Sequence, residues 1–459
     1  MTRFHAPGLR PLQWVTGSSS AEDIRASLWF WPSMMWVCSL GLTFGLLTVR
    51  PDPHSWVGEV GWPGDASSAS TMVQLVATAV TTATTLLLSL TVVALQLASQ
   101  QFSPRLLRTF ARDRQIQLSL GLLLSTVVVA LTTLRGIDPE RPLPVLALGL
   151  TWLLGLVSLV VLLAFVAHIV RSLRVDTMMA HVHAQTVGAV EASYAPWGQG
   201  PEAPGDDVTG EAGGELVPSP RSGFVRSINP DALIRVAREH GILLRMRLRP
   251  GDSVVQGTPA ANARRVEGNG RLDVSALADA LLEGVSLGHE RTAEQDVAFG
   301  FRELVDIAVK AISPGINDPT TAAEALNYLS DLVVRLQDRR LGSQLKRDDD
   351  GVPRLVLPDR DHRYYLDLAC AQLRRFGAEQ PEVLTALLRL LRDAAGNART
   401  DDQRAEIARQ AALVLQTMSE HLVEEDERSV RELGRRVELA LSGDLAAAYD
   451  DRAGETRSI

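Results

Sequence analysis

The chain is poor in several things at once. Its 459 residues include two cysteines, Cys38 and Cys370. One lies in an apolar run and the other far downstream in a helical stretch, so neither a disulfide framework nor a clustered thiolate site can be built from them. Lysine is nearly absent: Lys310 and Lys346 stand beside 44 arginines, an imbalance of composition that carries little functional weight. There is no Walker loop, G-x-G-x-x-G, H-E-x-x-H or G-x-S-x-G. The familiar signatures of nucleotide binding, zinc proteolysis and serine hydrolysis are therefore missing.

Positive charge is also scarce where a polyanion would need it. Residues 1–174 hold 12 Arg and 8 acidic residues, leaving 34 basic and 46 acidic residues in 175–459. Binding phosphates requires a cationic face, so the acidic second part argues against nucleic acid as a partner.

What is present is apolar sequence in long runs. A bilayer crossing takes about 20 apolar residues. Four stretches qualify: Ser27–Val49, Ser70–Ser99, Gln117–Leu134 and Val145–Val170. The first is too long for a cleavable signal core and is followed by RPDPHSW, so it reads as a retained span. Trp29, Trp31 and Trp36 suit an interfacial belt at its start. The loop between spans two and three carries Arg105, Arg108, Arg112 and Arg114 against Asp113, and Arg171 and Arg174 follow span four. The positive-inside rule then places both termini in the cytoplasm of a bacterial inner-membrane protein.

Span two has a polar stripe. Gln74, Thr78, Thr81, Thr85, Ser89, Gln96 and Ser99 recur at helical spacing, interrupted only at Val92, and none is charged. Two readings fit. Ser, Thr and Gln are used in helix packing within membranes, and uncharged polar walls also suit a weakly selective pore in an oligomer. The elbow QQFSPRLLRTFARDR follows. Pro104 ends or kinks the helix. Ser103, Pro104, Arg105 and Arg108 open a short amphipathic segment whose leucines and Phe110 share one face, as expected of a helix lying on membrane lipid.

The rest of the chain reads as cytoplasmic. The expected organisation is an N-terminal segment, 1–26; a transmembrane domain of four spans, 27–174; a helix and flexible linker, 175–222; a small β-rich module, 223–272; an α-helical domain, 273–447; and a disordered tail, 448–459. The class is mainly α. GFVRSI, ILLRMRL and SVVQGTPA are strand candidates, NPDALIRVAREHG is a short helix, and RPGD is a turn. RPGDSVVQGTPA is similar to the turn-and-strand of barrel-sandwich folds such as lipoyl domains, without a modifiable lysine, so no cofactor is expected. His181 and His183 are two apart on a helix and point away from each other; a ligand pair needs a spacing of four, so no metal is expected.

Two clusters stand out in the densest helical stretch. Arg291, Thr292, Gln295 and Asp296 form one; Asn317, Asp318 and Pro319 form the other, in a Pro/Gly turn. As an acid/base or metal pair, Asp296 and Asp318 would support catalysis with Arg291 holding an anion. A capping and hairpin-locking network explains the same residues, with Asp318 as N-cap and Pro319 in the first helical position. No nucleophile or histidine accompanies them, so no catalytic residue is assigned.

The segments SLTVVALQLASQQFSPRLL, RPGDSVVQGTPA and GHERTAEQDVAFGFRELVDIAVKAISPGINDP, together with the four-span layout, resemble the bacterial integral-membrane proteins grouped as domain of unknown function 2254. The resemblance covers nearly the whole chain. It implies this architecture and no particular activity. It also draws attention to Gln96, Ser103, Pro104 and Arg105, and to Arg291, Gln295, Asp296, Asn317, Asp318 and Pro319. The expectation from the sequence is a homo-oligomeric, pore-like membrane protein passing an ion or small ligand. The alternative is a membrane-anchored cytoplasmic scaffold or sensor.

Overall fold

The computed structural model describes residues 30–49, 64–101, 113–172, 174–199, 205, 214–266, 270–418 and 422–450. The N-terminal segment, the start of the first span and most of the linker and tail lie outside the described residues. The chain divides into two compact units, Ser18–Met178 and, for its main part, Met179–Ile459.

The first unit contains α1 (Phe30–Thr48), α2 (Ala66–Gln101), α3 (Arg114–Gly136) and α4 (Val145–Ser172). All four are long and apolar enough to cross a membrane. α3 is the centre of the group: Leu120, Leu123, Val129 and Ala130 are enclosed, whereas α1 among its described residues buries Pro32 and Thr43. Its start is fixed by Asp113, whose side chain accepts from Gln115 N at 2.8 Å. Val80, Leu87 and Ala94 of α2, Leu120 and Leu123 of α3, and Phe165 and Ile169 of α4 form the core. Helices approach closely where a side chain is missing: a Cβ on Gly121 would press on Pro32 and Met35 of α1, and one on Gly155 would meet Val76 of α2. Hydroxyl pairs bridge α3 and α4, Thr126 to Ser158 at 3.1 Å and Thr151 to Thr133 at 3.2 Å.

The second unit begins in α5 (Val175–Ser193) and then builds a sheet region from β1 (Glu215–Pro218), β2 (Gly223–Ile228), α6 (Pro230–Glu239), β3 (Ile242–Met246), β4 (Ser253–Val254), β5 (Pro259–Arg265), α7 (Val274–Gly284) and β6 (Val285–Gly288). Next come α8 (Val297–Ala311), α9 (Pro319–Gln337), a β7 (Gln344–Arg347) and β8 (Pro353–Leu357) hairpin, α10 (His362–Phe376), α11 (Pro381–Gly396), α12 (Asp401–Thr417), α13 (Glu424–Leu441) and α14 (Leu445–Ala448). Among the described residues the strands form a five-stranded sheet, ordered β1-β5-β3-β8-β7, and a three-stranded one, β4-β2-β6.

This differs from a β-rich module confined to 223–272 followed by helices alone. β8 pairs in parallel with β3, Leu244 opposite Leu355, so the sheet takes a hairpin from about a hundred residues downstream. SVVQGTPA is two strands in different sheets, separated by a turn in which Gly257 has φ +84°. Among the described residues this sheet arrangement does not confirm the barrel-sandwich likeness of RPGDSVVQGTPA. α6 and α7 cover one sheet face, where Leu233, Val236, Leu277 and Leu281 pack on Ile242, Leu244, Met246, Ala261 and Leu355. In α8 the expected apolar face, Phe301, Leu304, Val305 and Ala308, is buried, as is that of α9 at Ala322, Leu326, Leu329 and Val333.

Candidate functional site

α2 presents two unlike faces. Ala69, Val73, Val80, Thr84, Leu87 and Ala94 are buried against its neighbours. Gln74, Thr78, Thr81, Thr85, Ser89 and Gln96 are all exposed. At 3.6 residues per turn the centres of these two sets lie roughly 150° apart around the helix. The polar stripe thus points away from the helices of its own unit. Packing among the described helices of this unit does not account for it; the hydroxyl pairs described there join α3 and α4. Thr81 and Thr85 turn their hydroxyls back to the helix, donating to Ala77 O at 2.7 Å and Thr81 O at 3.1 Å, a common way to satisfy a hydroxyl in an apolar setting. The amides of Gln74 and Gln96 have no hydrogen-bond partner among the described residues. The side chain of Ser99, and Ser103, Pro104, Arg105 and Arg108, lie outside the described residues.

The second unit gathers charge around Asp296, which is 1 % exposed. Its Oδ2 accepts from Arg291 Nε at 3.0 Å and from Arg291 Nη2. Its Oδ1 faces Arg360 Nη1 at 3.4 Å. Arg360, just before α10, also donates to Pro250 O at 3.0 Å and lies 3.7 Å from Asp252. Burial opposes the charge on Arg360, but Asp296, the two neighbouring tyrosines and Asp252 outweigh it and raise its pKa. The turn Arg249–Asp252 closes over this group: Gly251 has φ +86°, and a Cβ there would overlap Asp296 and Arg291. Gln295 Oε1 accepts from Ile228 N at 2.9 Å, and the Thr292 hydroxyl is 3.5 Å from Arg226 O.

Arg291, Thr292, Gln295 and Asp296 therefore latch one loop onto β2 and the RPGD turn. Asp296 occupies the N-cap position of α8 but makes no capping bond, because its carboxylate is taken by the arginines. Asp318 does cap α9, accepting from Thr321 N at 3.1 Å and Thr321 Oγ1 at 2.6 Å, with Pro319 in the first turn. Asn317 is the non-glycine residue with positive φ, 52°, among the described residues. The two clusters sit at opposite ends of α8, which at 15 residues and about 1.5 Å each separates them by roughly 22 Å. They do not form one site.

Sequence reasoning missed Arg360, and with it Tyr194, Tyr365 and Asp359. The Tyr194 and Tyr365 hydroxyls are 2.7 Å apart, and Tyr194 donates to Asp359 at 3.2 Å. Burial raises the pKa of Asp359 and of Tyr194. The network fastens the end of α5 to α10. His183 bonds Asp331 at 2.7 Å and His181 bonds Gln185 at 2.9 Å, so the two histidines diverge. Among the described residues no three His, Cys, Asp or Glu side chains are placed to hold a metal.

Residues 25–393 match the family described as Predicted membrane protein (DUF2254). The chain is 32 % identical over 436 residues to uncharacterized proteins of Mycobacterium bovis and of Mycobacterium tuberculosis, covering 91 % of this chain and 82 % of each relative. No solved structure matches.

Proposed function

This chain belongs to the Predicted membrane protein (DUF2254) family, and from that premise we propose that it works as an oligomeric, channel-like protein of the bacterial inner membrane. The observation that carries the reading is the outward face of α2, where Gln74, Thr78, Thr81, Thr85, Ser89 and Gln96 form an uncharged polar stripe, interrupted by exposed Val92, on the side opposite the helix's own core. In an oligomer that face lines a path for an ion or small solute. Without fixed charge it selects by width and hydrogen bonding.

Arg105, Arg108, Arg112 and Arg114 after α2, and Arg171 and Arg174 after α4, support cytoplasmic termini. The elbow around Pro104 would rest on the inner leaflet. The reading is non-enzymatic: Asp296 and Asp318 are each engaged in holding the fold and lie at opposite ends of α8. Flux of ions into liposomes holding the full-length protein tests it, with Gln96→Leu and Ser89→Leu as lining variants. Flux unchanged in both variants removes the lining assignment.

A second reading rests on the second unit, a sheet-and-helix body with its own core. It would be a scaffold or sensor for a protein or small ligand, with the spans as anchor. This reading expects capture of one defined partner by full-length protein in detergent, and no flux in liposomes.

A further inference from the structure

The five-stranded sheet has α6 and α7 on one face. Its other face is divided. Towards β7, Leu243, Val356 and Leu345 form a small buried cluster. The half made by β1, β5 and β3 is more exposed and basic. There Leu216, Asn262 and Arg245 stand in one row across the three strands. Arg264 lies opposite Leu243, and Arg247 continues β3, its N–H donating to Ala260 O at 2.9 Å. Arg247 and Arg264 are exposed, and so is Leu216, at 51 %. Arg247 Nη1 also donates to Asn262 Oδ1 at 3.4 Å. Among the residues of β1, β3 and β5 the one carboxylate is Glu215. It sits opposite buried Ala263, on the face away from these arginines, and accepts from Leu272 N at 3.0 Å. Strands lie about 4.8 Å apart and same-face neighbours about 7 Å, so Arg245, Arg247 and Arg264 crowd one patch. Like charges this close on a sheet face repel. We propose that this face docks on the anionic surface of the bilayer that the protein's own helices span, whichever reading of α2 holds.

Three features favour lipid over any other occupant. The first is charge. Residues 175–459 hold 34 basic and 46 acidic residues, so the body as a whole is repelled by an anionic leaflet. A local group of arginines gives it one face that is attracted instead. The second is chemistry: an exposed leucine beside long arginine stems matches the boundary between headgroup and acyl chain. The third is attachment. α4 ends at Ser172 and α5 begins at Val175, so the second unit cannot diffuse away from the bilayer. Docking is then an intramolecular step, for which a few arginines suffice. A soluble acidic partner would have to be captured from solution against the net negative charge of the body.

The test is lipid contact of a label on this face, in full-length protein reconstituted into vesicles. The background is Cys38→Ser, since Cys38 is exposed and Cys370 is buried. Leu216→Cys carries a fluorophore, and nitroxide on the lipid headgroups quenches it; Phe376→Cys, at an exposed end of α10, is the control. Quenching at Leu216→Cys is expected to be several-fold stronger with about a third phosphatidylglycerol than with phosphatidylcholine alone. Arg247→Gln with Arg264→Gln should lower the ratio of docked to free about 25-fold, at roughly fivefold per arginine. Lysine at both positions should restore it. Unfolding midpoints of the glutamine variant should match or exceed wild type, since the removed charges repel one another. Equal quenching in the two lipids, equal quenching at Phe376→Cys, or no effect of the glutamine pair overturns the proposal. So does shielding of the label in both lipids that disappears with Asp206→Asn, Asp207→Asn and Glu211→Gln, which would give the face to the chain's own acidic segment. Quenching as expected in vesicles that show no ion flux keeps the docking face and counts against the channel reading alone.

Discussion

The imidazole Nε2 of His168, near the end of α4, lies 2.6 Å from Oδ2 of Asp113, the residue that caps α3. One carboxylate therefore fixes where α3 begins and ties it to α4, with Ser172 Oγ 3.3 Å from the same nitrogen. Asp113→Ala loses both contacts. Losing the cap alone costs about 1 kcal/mol. Asp113→Asn keeps an acceptor for the cap and should retain most of that stability. Thermal unfolding of full-length protein in detergent checks the order: wild type, then Asn, then Ala.

Gly251 is held in a conformation that favours glycine, against a buried ion pair. Gly251→Ala brings both the positive φ and the overlap with Asp296 and Arg291. The expected loss is about 2 kcal/mol or more, seen as a lower unfolding midpoint. Gly257, whose φ is also positive but which has open space around it, should tolerate alanine better.

Asp296 and Arg360 form a buried pair within a group that includes Arg291 and Asp252, and removing one member leaves the other only partly compensated. Asp296→Ala and Arg360→Leu should each destabilise by about 3 kcal/mol. The double variant should lose less than the sum, because the undercompensated charge goes with its partner. Unfolding midpoints of the three variants decide. A variant lacking Asp296 with unchanged stability and a lost activity would instead point to chemistry.

His362 opens α10 with both ring nitrogens buried and without a hydrogen-bond partner among the described residues. Burial pushes its pKa down to about 4 from 6.5. The folded state thus prefers the neutral ring. Its contribution is complete above about pH 6.5 and is lost as the pH falls towards 4, by at most about 3 kcal/mol. His362→Phe should flatten that part of the acid limb. Melting at pH 7 and pH 5 gives the comparison: a smaller drop in the variant is expected.

The spans were readable because apolar runs of this length have few other uses, and the α2 stripe because a period of 3.6 survives one interruption. Its direction was not readable, since spacing places residues on one face without saying what that face meets. The β7–β8 hairpin was missed because Leu355-Val356-Leu357 is too short a signal, and its partner β3 is remote in sequence. Arg360 was missed for a related reason. It is one arginine among 44, and only the fold carries it to Asp296 and the RPGD turn. Gly251 could have been suspected from that turn, but not its closeness to Asp296.

The outward polar face of α2 is tested most directly by ion flux into liposomes containing the purified full-length protein, with Gln96→Leu beside it. Flux in the wild type that falls by about tenfold or more in the variant is the expected result. Equal flux in both, with equal reconstitution, would contradict the assignment of this face to the path.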